Sequence, residues 1–290
     1  MIAARSHAVA ASSAATSVPC LPPGSERADL VGTVAWAAAG GPPLTLRQQL
    51  GQLGLALGAY LADLPGEVRW ELAALGLWSP APMTEVGVIA LPDTHAVEAA
   101  VRELERLAEG ETEIVGHSFR TFHFADVLHR LSGKPPLDRE LLAVAMLLHD
   151  AGMFPRAVAE EPANEFTVRG ARIARRVAAE AGWAPGRIEH LMQAVTINAN
   201  GAVPRRWGPE AYFGRLAPIV DAAGQAWKVH PDDARRIFAS HPLGALDRAI
   251  MSAVRAEVKR QPRGRFGVFA PMFPLLVAMC RRRWKRRLGP

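Results

Sequence analysis

The chain has 290 residues, 49% of them hydrophobic, which is enough for one large or two small globular domains with a real core. Its two cysteines, Cys20 and Cys280, lie near opposite ends; they exclude a disulfide scaffold and a cysteine-based zinc site, and they suit a reducing, cytoplasmic compartment. A net charge of +6 looks like that of a nucleic-acid binder, but the run "RRRWKRR" (281–287) alone carries six positive charges, so the rest of the chain is formally neutral and no specific nucleic-acid partner is expected.

In chain order, the first 25 residues hold no acidic residue and are rich in Ala and Ser, as targeting peptides are, yet lack a basic-then-hydrophobic layout. Residues 1–27 therefore read as a disordered tail. Residues 28–90 read as a helical extension: "LTLRQQLGQLGLALGAYL" (44–61) places Leu46, Leu50, Leu53, Leu57 and Leu61 at three- and four-residue intervals, and "EVRWELAALG" (67–76) gives a second, shorter helix. After a soft boundary near residue 90, Pro92 and Asp93 open an amphipathic helix over 94–108. Further helices are predicted over 117–131, 138–150, 165–182, 185–199, 209–228, 231–240 and 246–261, with stops at Gly133-Lys134-Pro135-Pro136, Gly152, Gly182 and Gly201. No convincing alternating strands and no repeat are present, so the fold class is all-α, and the short links imply one compact bundle over 91–280. Within it, "FGVFAPMFPLLVAMC" (266–280) is too short and too proline-interrupted for a membrane span and reads as a buried segment. Residues 281–290 read as a solvated basic tail that leaves a peripheral membrane contact open.

The chemistry concentrates in "LLHDAGM" (147–153), where an apolar helix ends on His149 and Asp150. A buried carboxylate without a partner costs several kcal/mol or takes up a proton, so Asp150 needs a hydrogen-bond network, a cation or a metal. His117, in "GHSFRTFHF" (116–124), and Asp221, in "LAPIVDAAG" (216–224), are candidate companions. Two nitrogens and two oxygens suit a borderline divalent ion, zinc or iron first and manganese second. His123 and His129 point elsewhere around the His117 helix and read as core or surface residues. Arg120, one turn after His117, is a candidate anion ligand or the partner of an acid, as is Arg169, for which Glu165 is the candidate acid.

The order His117, then His149-Asp150, then Asp221 resembles the HD-domain superfamily of metal-dependent hydrolases. The strings "LPDTHAVEAAVREL", "GHSFRTFHFADVL", "LLAVAMLLHDAGM" and "EFTVRGARIARRV" are similar, over about residues 90–250, to its cyanamide hydratase-like branch. That resemblance implies an all-α HD-domain bundle with an N-terminal helical extension. It implies one divalent metal on His117, His149, Asp150 and Asp221, and addition of water to a nitrile-like or related C–N bond of a small-molecule substrate, with Asp150 taking the proton. The chain departs from the branch at Asn198, where a histidine is expected; this disfavours a second metal and suggests an amide that orients substrate or water. Met153 and Phe154 stand near the position where nucleotide-cleaving members often carry an acid, implying a more apolar pocket. Phosphomonoester or phosphodiester hydrolysis with Arg120 as clamp, and a non-catalytic metal-stabilised regulatory module, are the alternatives.

Overall fold

The computed structural model describes residues 30–79, 82–133 and 136–288; the expected N-terminal tail over 1–27 lies outside them. Among the described residues there are helices and no strands, as the all-α reading anticipates. α1 (Val34–Ala38) and the long α2 (Leu46–Ala74) precede the bundle, which begins with α3 (His95–Ala108), α4 (Glu113–Ser132) and α5 (Arg139–Leu148). α6 (Pro155–Glu160), α7 (Phe166–Glu180), α8 (Pro185–Ile197) and α9 (Pro209–Ala222) follow, then α10 (Pro231–Ser240), α11 (Leu246–Arg260), α12 (Arg265–Phe269) and α13 (Phe273–Leu288).

Helix starts obey local chemistry. Thr94 and Asp138 accept the orphan amides of Val97 and Leu141, and α6, α8, α9 and α10 each begin with a proline whose missing N–H is no loss there. α5 is the central rod, packed by α3, α4, α7, α8 and α9, and every residue from Leu141 to Leu148 is buried. Each of its leucines contributes about 1.5–3 kcal/mol of burial. An all-round apolar helix can occupy only such a position, and its C-terminal end delivers His149 and Asp150 to the middle of the protein.

Three expectations need correction. The two helices at 44–61 and 67–76 are one, α2, running through Pro65. Its C-terminal half is tied to the body by Asp63 with Lys228, Glu67 with Arg283 and Trp70 against Trp227, so tertiary contacts outweigh the one lost amide. The helix predicted over 209–228 stops at Ala222, and a 3₁₀ turn covers Ala226–Lys228.

The third correction concerns residues 281–288, which are the last two turns of α13 and not a solvated tail. Arg283 and Trp284 are buried, with Trp284 between Phe124 and Phe238 at ring-centroid distances of 5.3 and 4.9 Å. Trp284 Nε1 donates to the Asp221 carbonyl at 2.9 Å and Cys280 Sγ donates to it at 3.2 Å. α9 ends one residue later, so α13 supplies donors to a carbonyl of its final turn. The positive charge is absorbed by α2, where Glu67 and Glu71 pair with Arg283 and Arg286. No helix among the described residues is long and apolar enough to cross a membrane.

Candidate metal centre

α4 supplies His117 near its N-terminal end, and the end of α5 supplies His149 and Asp150, the latter just before a 3₁₀ turn over Ala151–Met153. Gly152 is required in that turn: a Cβ there would stand 1.9 Å from the Phe166 carbonyl of α7. Arg169, from α7, donates through Nε to the Gly152 carbonyl at 2.7 Å and so holds the turn. Its partner acid is Glu257, at 2.6 Å, whereas Glu165 pairs with Arg265. Arg169 is buried and its guanidinium is occupied by these groups and the Asn164 carbonyl, so it is not an anion site.

His117, His149 and Asp150 are all buried, and each offers one ligand atom within 4.8 Å of the other two. The ring nitrogens are assigned by their neighbours. His149 Nδ1 donates to the Met146 carbonyl at 2.7 Å, and His117 Nδ1 donates to Asp221 Oδ2 at 2.6 Å, so both Nε2 lone pairs face inward. They lie 3.2 Å (His149) and 3.7 Å (His117) from Asp150 Oδ2. His149 Nε2 is buried and, despite its closeness to Asp150, makes no aligned hydrogen bond. Two ring nitrogens and a carboxylate oxygen converging with no aligned hydrogen bond among them are an arrangement that a divalent cation resolves; the donor set fits zinc, iron or manganese.

Without a cation the same closeness favours a proton on His149: burial works against its charge, but the adjacent Asp150 carboxylate prevails and raises its pKa, so a bound ion would take that proton's place. Burial likewise opposes ionisation of Asp150, and His149 overrides it, holding the carboxyl below its ordinary value. Asp221, the remaining residue expected as a ligand, stands behind His117 and not within the three-donor group. Burial opposes its charge too, but Arg120 and then His117 hold its pKa low. Its carboxylate fixes the tautomer of His117, a role that outer partners of metal-bound histidines commonly fill.

Arg120 is correspondingly not a free clamp. It is fully buried, its Nε lies 3.0 Å from both Asp221 oxygens, and its Nη1 donates to the Pro242 carbonyl at 2.8 Å. Asn198 also has a different task from the one expected. Pro218 has no N–H, so the Gly214 carbonyl one turn earlier in α9 loses its helical donor; Asn198 Nδ2 donates to it at 2.6 Å. The amide N–H expected to orient substrate or water is thus committed to the backbone of α9. Met153 packs against Phe166, Ala199 and Phe266, while Phe154 joins the main core. His123 stacks toward His241, and His129 lies edge-on to Phe213. Sequence reasoning missed Cys280 and Trp284; their i, i+4 spacing, which puts both on one helical face, was the available signal.

Two surface clefts, of about 420 Å³ beside α3 and about 590 Å³ between α11 and α13, are lined by none of these residues. Among the described residues the other group with metal-ligand spacing is Glu85, His230 and Asp232, a surface cluster whose acids pair with Arg236 and Arg235. A family model for the HD domain matches residues 114–241, which include His117, His149, Asp150 and Asp221. No curated protein matches the chain.

Proposed function

We propose that the chain, whose residues 114–241 match the HD-domain family model, is a metal-dependent hydrolase or hydratase adding water to a small polar substrate. The observation that carries this reading is the inward convergence of His117 Nε2, His149 Nε2 and Asp150 Oδ2 with no aligned hydrogen bond among them, the two Nδ1 atoms being committed to Asp221 and Met146. When bound, the ion supplies Lewis acidity, polarising the substrate and making water nucleophilic near neutral pH. The protein residues then have distinct tasks. His117 and His149 would hold the ion through Nε2, Asp221 keeps His117 in the required tautomer, and Arg120 keeps Asp221 ionised. Asp150, kept ionised beside His149, would be the third ligand, and its carboxylate would accept a proton from water.

For the reaction, we favour hydration of a nitrile-like bond, as in cyanamide to urea, or hydrolysis of a related C–N compound. The support is the ordered set of motifs over residues 90–250, including "LPDT" (91–94), whose Thr94 caps α3. Phosphoester hydrolysis has less support, because Arg120 and Arg169 are both occupied by buried protein partners. The test is elemental analysis of protein purified without added metal, followed by a small-substrate panel. The expected result is about one equivalent of zinc, iron or manganese per chain, with urea or ammonia formed and turnover abolished in a folded Asp150→Asn variant. Phosphate release without urea or ammonia overturns the assignment of the reaction; a metal-free active protein overturns the centre.

A further inference from the structure

α2 is turned inside out. Over residues 46–63 its buried stripe consists of Gln52 with the half-buried Gln48, Gln49, Ala56, Ala59 and Asp63, and Gln52 is spent on the amide of Gly201. Its leucines face away from the body: Leu46 is 70% exposed, Leu50 60%, Leu57 56% and Leu61 54%, with Leu53 and Tyr60 also exposed. A helix packed on the surface of a globular body ordinarily takes the opposite arrangement, because burying leucine and wetting glutamine is the favourable orientation.

The exposed residues follow a pattern. Leu46, Leu50, Leu53, Leu57 and Tyr60 are spaced four and three in alternation, the a and d positions of a heptad repeat; the half-buried Leu64 continues that register, and Leu61 and Val68 flank the same seam. The seam from Leu46 to Val68 is about 34 Å long at ~1.5 Å per residue. From Gln48 to Ala62 the helix carries no charge.

We propose that this face is a homodimer interface in which α2 of one chain pairs, through its leucine seam, with α2 of a second copy. A heptad seam is completed by a helix bearing the same pattern, and a second copy always supplies one. A two-fold axis across the seam places the same patch against itself, and the uncharged stretch from Gln48 to Ala62 brings no like charges together there. The exposed apolar face is on the order of 600 Å² per chain, approaching the ~800 Å² per partner of a stable interface and larger than a typical monomer leaves open. Gly54 and Gly58, with open space where a Cβ would point, leave one flank of the seam clear for close approach. A bilayer fits less well: helices that lie on membranes carry Lys and Arg along the edges of the apolar face, and the leucine half of α2 has only Arg47.

Sedimentation velocity of the full chain from 1 to about 50 µM, a range where standard-size interfaces of micromolar affinity assemble, tests this directly. The expected result is a dimer, converted to monomer by Leu50→Glu with Leu57→Glu, a change that leaves circular dichroism and metal content at parental values. A second variant, Leu53→Cys in a Cys20→Ser background, is expected to form an intermolecular disulfide under mild oxidation, which the Cys20→Ser chain with Leu53 does not. A parental monomer overturns the proposal. If that monomer cosediments with vesicles of phosphatidylcholine and phosphatidylserine and the double variant does not, the occupant is a lipid surface. A double variant that remains dimeric places the interface elsewhere and also overturns it.

Discussion

α2 and α13 are linked through long side chains, Arg283 to Glu67 and Arg286 to Glu71 and the face of Trp70. One is rich in leucine and shows its leucines to solvent; the other is rich in arginine and buries Arg283 and Trp284. The difference teaches that burial of a helix at the edge of a bundle follows the groups it meets, not its mean composition. α13 meets the Asp221 carbonyl, a ring of aromatic side chains and two glutamates, and it contributes an indole N–H, an apolar face and cations. α2 meets the backbone amide of Gly201 and the ammonium of Lys228, and it turns Gln52 and Asp63 toward them. Leu46, Leu50, Leu57 and Leu61 find no counterpart among the described residues.

The sharpest way to break this contrast is Trp284→Ala. Removing a fully buried indole between two aromatic rings, together with a donor to the Asp221 carbonyl, is expected to cost about 3–5 kcal/mol in urea unfolding. It is also expected to weaken metal retention, since α9 carries Asp221. A loss below about 1 kcal/mol, within the range of surface substitutions and small repacking, would mean that the C-terminal turns are peripheral after all.

A somewhat smaller effect separates the core from the ridge by pH. Burial, and then the neighbouring His241, push the pKa of His123 down to about 4 from an ordinary 6.5. Between these values the unfolded chain binds a proton that the folded one refuses. The corresponding stability is therefore full above 6.5 and is lost as pH falls toward 4, by about 3 kcal/mol in total. Replacing His123 by Phe should flatten the slope of unfolding free energy across that window. The leucine ridge has no His, Asp or Glu from Gln48 to Ala62, so altering it should leave the slope unchanged.

The smallest expected effect belongs to α2 itself. Leu57→Gln should change the unfolding free energy of the monomer by no more than about 0.5 kcal/mol, because its side chain already stands in water. Unfolding measured at concentrations where the chain is monomeric checks this. A loss of several kcal/mol would show that Leu57 is covered within its own chain and would remove the contrast with α13.

Most helices were legible along the chain, and so was the identity of the residues that α4 and α5 bring together, for a common reason. A 3.6-residue period, a capping Thr or Asp, a proline at a first turn and a histidine beside an aspartate at the end of an apolar helix are all local signals, complete within a few residues. What no local signal contains is the partner. Asn198 donates to a carbonyl 16 residues on that Pro218 has left without a donor, and Arg120 is neutralised by an acid 101 residues away. Trp284 converts a basic run into a cap for α9, and α2 exposes the stripe that periodicity alone would bury. Hydrogen bonds and ion pairs are short-ranged, so each buried polar group takes whichever complement the packed helices bring within about 3 Å. That choice is made only when the bundle closes.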